Sequence, residues 1–153
     1  MTLELTTTDV PQEDDLATIR KVIQAIADGL ADTQGLADKT GVSRRHVGYS
    51  INAAISLLLV DENLQVTEGG KKLLAAAAGT PEEKGAWRAA IEASPALKEL
   101  APNLLAQAEP DRKQLSEHIA QVSGLAPATA MRRVQALLSW RRQLSPLRDE
   151  AAR

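Results

Sequence analysis

The chain has no cysteine and no phenylalanine, and only one tyrosine and two tryptophans. Without thiols it forms no disulfide, no thiolate metal site and no cysteine nucleophile. Aromatics make up 2% while hydrophobic residues reach 44%, so the core has to be built from Leu, Ala, Ile and Val. That composition favours helix over sheet. The same scarcity removes the aromatic platforms on which single-stranded nucleic acid stacks. Long apolar runs are missing too, since nothing approaches the ~18 residues of a membrane span. The polar opening "MTLELTTTDVPQEDD" does not read as a signal peptide. A cytoplasmic protein with no membrane partner is expected.

Catalytic patterns are equally thin. His46 and His118 are the only histidines, and neither has an HExxH or triad-like neighbourhood; His118, beside Glu117, is expected at the surface. The acid pairs Asp14-Asp15, Asp61-Glu62 and Glu82-Glu83 are accounted for by helix starts and a turn. Gly69-Gly70 lacks the GxxxxGK[ST] spacing of a phosphate loop and reads as a loose first helical turn. No nuclease-like cluster of acids and lysine is visible. The expectation is a protein that is not an enzyme, with no cofactor and no metal site.

One further absence is local. The net charge is −2, yet no acid occurs between Glu117 and Asp149, where Arg132, Arg133, Arg141, Arg142 and Arg148 lie. A second acid-free window, from Asp38 to Asp61, holds Lys39, Arg44 and Arg45. Residues 1–80 carry 7 Lys+Arg against 11 Asp+Glu, and residues 81–153 carry 11 against 9. Charge is therefore unevenly placed, and both windows fall on one repeated pattern.

Apolar spacing and capping residues mark the helices. "DDLATIRKVIQAIADG" puts Leu16, Ile19, Ile23 and Ile26 on one face, with Gly29 as the stop. A short helix is expected over 33–40. Gly41 turns the chain, and Ser43 caps a helix over roughly 44–59, with Val47, Ile51, Ala54, Ile55 and Leu58 facing inward. Asp61-Glu62-Asn63, between two apolar stretches, predicts a short hairpin. Thr67 caps the next helix, and Thr80-Pro81-Glu82-Glu83 is a capping box with proline at the first helical position. Ser94-Pro95 starts a short helix, Asp111 caps one over 112–122, and after Gly124 a long helix runs to Leu144. Trp140 is expected in the core, with Arg141 and Arg142 packing on it or holding a partner.

Sliding the sequence by 83 residues aligns Leu36-Ala37 with Ile119-Ala120, and Thr40-Gly41-Val42-Ser43 with Ser123-Gly124-Leu125-Ala126. Ile51-Asn52-Ala53 then meets Val134-Gln135-Ala136. Both copies read as a helix, a glycine turn and a second helix. With "LLLVDENLQVTEGGKKLL" following, residues 14–78 resemble a winged helix-turn-helix module of bacterial transcription-factor type. Residues 112–144 resemble a second unit, and "GLAPATAMRRVQALLSWRRQL" is similar to helix-turn-helix segments of bacterial restriction and defence proteins. Two features depart from that pattern: Ala126 stands where a capping Ser is usual, and no wing sequence follows Leu144.

The resemblance implies a mainly α fold of tandem winged helix-turn-helix modules with one short β hairpin, the wing, near residues 58–66. The expected order is a flexible arm (1–13), module 1 (14–79), module 2 (80–145) and a tail (146–153). It further implies that the second helix of each motif enters the major groove of double-stranded DNA. Carried onto this chain, the contacts would be Ser43, Arg44, Arg45, His46, Tyr49 and Asn52 in module 1, with Lys71 and Lys72 beside the wing. In module 2 they would be Thr129, Arg132, Arg133 and Gln135. Arg suits guanine, Asn or Gln suits adenine, and Ser, Thr or Tyr can donate to phosphate. Gly48 would let a phosphate approach the backbone, although close helix crossing would explain it as well. The implied roles are a transcriptional regulator or the DNA-recognition domain of a restriction or defence system, with a homodimer or a fused or separate effector protein as further partners. The alternative is a winged-helix scaffold for protein–protein contact, supported by a pI of about 5.7 where duplex binders carry a basic excess.

Overall fold

A computed structural model describes residues 11–145. Eight helices follow one another among them: α1 (Leu16–Ala27), α2 (Thr33–Thr40), α3 (Arg44–Ser56), α4 (Glu68–Ala75), α5 (Pro81–Ala93), α6 (Pro95–Leu100), α7 (Arg112–Ser123) and α8 (Pro127–Gln143). Their starts are fixed by short polar side chains that accept a free N–H of the first turn. Asp15, Asp32, Ser43, Thr67, Thr80, Ser94 and Asp111 all do so. The expected tail lies outside the described residues. So does most of the expected arm, but its last residues are held in place, and Pro11 and Glu13 are buried.

The expected wing does not form. No strand occurs among the described residues, and Val60 and Val66 make only an isolated antiparallel bridge. The chain has no length left for a ladder. Upstream, α3 runs to Ser56 and Leu58 takes a left-handed φ of 58°. Downstream, Thr67 is already the cap of α4. Between them Asp61 closes a tight turn, its carboxylate accepting from the N–H groups of Asn63 and Gln65, both at 2.9 Å. Leu58, expected inward, is 51% exposed, and Leu57 takes the core position instead.

α1 packs against α2, α3 and α4, and the chain then proceeds through α5, α6 and α7 to the tightly paired α7 and α8. Gly70 marks one point where only hydrogen fits, because a Cβ there would overlap the Leu59 carbonyl oxygen and Val66 Cγ1. The Arg20 guanidinium joins three elements, donating to the Ala76 carbonyl at 2.7 Å and pairing with Glu83 at 2.9 Å. Burial pushes the Glu83 carboxyl up, but the Gly79 N–H and Arg20 outweigh it, so the group is held below its ordinary value.

Both copies of the repeat contribute to one hydrophobic cluster, which runs from Leu16 through Trp87 and Leu104 to Trp140 and Leu144. Within it Val134 is fully buried, whereas the equivalent Ile51 is only partly so. Val134→Asp should therefore cost about 3–5 kcal/mol, as an unpaired buried charge does, and Ile51→Asp clearly less. Because the core is continuous, Val134→Asp should lower a single cooperative melt rather than one of two. Circular dichroism melts test this, and two separable transitions would contradict the shared core.

Candidate nucleic-acid interface

The two glycine turns have the same geometry. Gly41 ends α2 at φ 75°, ψ 7°, and Gly124 ends α7 at φ 75°, ψ 9°. Thr40 Oγ1 donates to the Leu36 carbonyl and accepts from Val42 N–H. Eighty-three residues on, Ser123 Oγ donates to the Ile119 carbonyl and accepts from Leu125 N–H. Leu36 and Ile119 are both fully buried beneath the turn, as are Val47 and Ala130 at the start of the second helix. A left-handed residue is cheap only for glycine, and the hydroxyl satisfies groups that the ending helix leaves open. The sequence repeat is thus a structural repeat, α2–turn–α3 and α7–turn–α8.

The candidate side chains lie in different surroundings. Arg44, Arg45, Arg132 and Gln135 are exposed, and no ion pair among the described residues involves the three arginines. Arg132 Nη2 donates to Thr129 Oγ1 at 3.3 Å, one turn back on α8. Ser43 is occupied as the cap of α3, accepting from His46 N–H at 3.3 Å. Lys71 and Lys72 are exposed on α4, where Lys71 pairs with Glu68 at 3.4 Å.

The remaining candidates, His46, Tyr49, Arg133 and Asn52, are divided between α3 and α8. His46 Nδ1 lies 3.0 Å from Glu13 Oε1, and its ring meets Tyr49 edge to face at 5.4 Å. Arg133, on α8, is half-buried and lies within electrostatic reach of Tyr49 and Arg132. Burial pulls its pKa below the ordinary arginine value, with Tyr49 opposing that shift and Arg132 adding to it; guanidinium remains charged all the same. Glu13 links the two second helices, its carboxylate meeting His46 of α3 and its main-chain carbonyl accepting from Trp140 of α8. Asn52 is half-buried further along α3.

Gly48 faces open space, since a Cβ there would meet nothing within 4 Å. Close helix crossing does not explain this glycine. Arg141 is turned inward rather than toward a partner, and donates to the carbonyls of Leu104, Ala106 and Gln107 at 2.9, 2.6 and 3.1 Å. Trp140 is fully buried, as expected, and its Nε1–H donates to the Glu13 carbonyl at 2.8 Å. His118, expected at the surface, is half-buried with Nε2 2.7 Å from the Glu99 carbonyl. Glu13 escaped the sequence reading, because nothing local distinguishes it from the other acids of "PQEDD". Among the described residues no three His, Asp or Glu side chains gather as a metal site. No protein family, curated protein or solved structure matches the chain.

Ser43 and Ala126 begin their helices with nearly the same backbone, φ −61°, ψ 154° and φ −61°, ψ 147°, but Ala126 has no side chain to cap with. Ala126→Ser should place a hydroxyl where it accepts from Thr129 N–H, as Ser43 does from His46. The expected gain is about 0.5–2 kcal/mol, the usual worth of such a cap. Thermal melts measure it, and an unchanged or lowered midpoint would break the equivalence of the two turns.

Proposed function

We propose that this chain binds duplex DNA with two helix-turn-helix units, α3 and α8 serving as the reading helices. The observation that carries the reading is the pair of matching glycine turns, each leading into a helix with exposed arginine and no acid beside it. Arg44, Arg45 and Arg132 lack carboxylate partners among the described residues, so their charge is available to phosphate or to guanine. The position of Glu13 between His46 of α3 and Trp140 of α8 supports one joined surface rather than two independent ones. Such a protein would act in the bacterial cytoplasm, as a transcriptional regulator or as the recognition part of a restriction or defence system. A second copy or an effector protein would complete it. The competing role, a scaffold for protein contact, draws support from the net charge of −2.

The two readings separate in a titration of a duplex selected from a random pool, followed by fluorescence anisotropy at about 50 and 200 mM salt. Arg44→Ala with Arg45→Ala, and separately Arg132→Ala, should each weaken binding while leaving the fold intact. A lost base contact costs about 1–3 kcal/mol and relaxes one position, whereas a lost phosphate contact weakens every sequence and flattens the salt slope by roughly one. Unchanged affinity in both variants favours the scaffold.

Gly48→Ala gives an independent measurement. With open space at the Cβ, it should stabilise α3 by about 0.5–1 kcal/mol, because glycine is a poor helix former. The same methyl group should lower duplex affinity if DNA backbone lies over this turn. A stabilised variant that binds as well as wild type would take the middle of α3 out of the interface.

A further inference from the structure

Glu13 is an acid placed under a surface of bases. Its side chain is 4% exposed, and His46, which it faces at 3.0 Å, is 51% exposed. The residue is fixed from two sides. Oε2 lies 3.4 Å from the Asp15 N–H at the start of α1, and the main-chain carbonyl takes the Trp140 Nε1–H of α8. The carboxylate therefore has little freedom to follow the imidazole. It is the imidazole that must conform.

An ionised carboxylate only accepts hydrogen bonds, so the hydrogen in the 3.0 Å contact belongs to His46 Nδ1. In the neutral ring, Nε2 then carries a bare lone pair. Tyr49 stands edge-on at an interplanar angle of 79°, which restrains the ring plane as well. His46 is the third residue of α3, in the first turn, where groove-reading helices carry their base contacts. In the major groove the hydrogen-bond donors are the N6 amino group of adenine and the N4 amino group of cytosine.

We propose that Glu13 is a positioning residue that makes His46 a reader of amino-bearing bases, adenine or cytosine, in the major groove. This rests on the DNA-binding reading above and adds a specificity to it. Arg44 and Arg45, donors only, suit the carbonyl and ring-nitrogen acceptors of guanine. Glu13 thus gives the same helical turn an acceptor, which no basic side chain supplies.

The test has two arms, both with the full chain. In the first, 15N spectra of the imidazoles, without DNA, separate the Nδ1–H, Nε2–H and doubly protonated rings. Wild type should show His46 as Nδ1–H. Glu13→Gln should show a mixture, because a carboxamide donates as well as accepts. In the second, a duplex selected by wild type is varied base by base. One position should favour adenine or cytosine over guanine or thymine by roughly threefold to tenfold, the worth of one hydrogen bond. That preference should vanish in His46→Ala and relax in Glu13→Gln, and the double variant should match His46→Ala alone. Should Glu13→Gln fail to fold, the wild-type spectrum and the base profile of His46→Ala decide. A wild-type ring carrying hydrogen on Nε2 overturns the proposal. So does a His46→Ala penalty equal on all sequences, which marks a phosphate contact, or additive losses in the double variant, which mark a purely structural Glu13. If wild type selects no duplex, the DNA reading itself falls and this role with it.

Discussion

The short run from Glu13 to Leu16 is gripped by α8, and the relation between the two halves depends on that grip. Trp140 donates to the Glu13 carbonyl, Ser139 and Gln143 donate to the Asp14 carbonyl, and Gln143 Oε1 receives the Leu16 N–H. Each partner needs the other. A fully buried indole N–H costs free energy unless it finds an acceptor. The Glu13 and Asp14 carbonyls precede α1 and the Leu16 N–H lies in its first turn, so none of the three has an intrahelical partner. Most other bonds in the molecule are local, closing helical turns or caps. These instead span 125 to 129 residues, so they place α8 beside the beginning of α1, where Glu13 also meets His46 of α3. Two modules tethered only by a linker would leave the separation of their second helices to the length of that linker. Here it is set by hydrogen bonds.

The grip is also where the repeat stops being a repeat. Under the 83-residue shift, the turns, the buried Leu36 and Ile119, and the buried Ala53 and Ala136 all correspond. The residues that connect the halves correspond only in part. Ser139 is matched by Ser56, but Trp140 corresponds to Leu57, whose side chain has no N–H to offer, and Gln143 corresponds to Val60. A duplicated unit can keep its turn, because glycine and hydroxyl chemistry are local, while its docking surface diverges freely. Asymmetry is then what allows one copy to bind the other without generating an open chain of like contacts.

How much of this was legible follows from the range of each interaction. Caps at Asp15, Ser43, Thr67, Thr80, Ser94 and Asp111 could be read directly, since a cap and its N–H lie within three residues of each other. The turns at Gly41 and Gly124 were readable for the same reason. The hairpin failed because its signal, two apolar stretches around Asp61-Glu62-Asn63, says nothing about how closely α3 and α4 encroach. Asp61 made its turn, but Leu58 had left the extended region at φ 58° and Thr67 was already the cap of α4. Glu13 and Arg141 were illegible in a stricter sense. Their partners, His46 and the carbonyls of Leu104, Ala106 and Gln107, lie more than 30 positions away, and neither charge carries a local mark of being spoken for.

Charge placement resolves how an acidic chain presents basic helices. Many of its acids are consumed where a helix needs a negative group at its positive end: Asp15, Asp32 and Asp111 as caps, Glu82 and Glu83 in the first turn of α5. Glu83 is further neutralised by Arg20, and Asp61 by the backbone of its own turn. Glu13 lies beneath the surface, its charge directed at one imidazole. None of these carboxylates sits on α3 or α8, and neither helix has an acid of its own. Exposed charges interact over roughly a Debye length, about 8–10 Å at physiological salt, so the field near Arg44, Arg45 and Arg132 depends on that local absence more than on the total of −2. Net charge describes the whole chain, whereas α3 and α8 carry arginines on helices that contain no acid of their own.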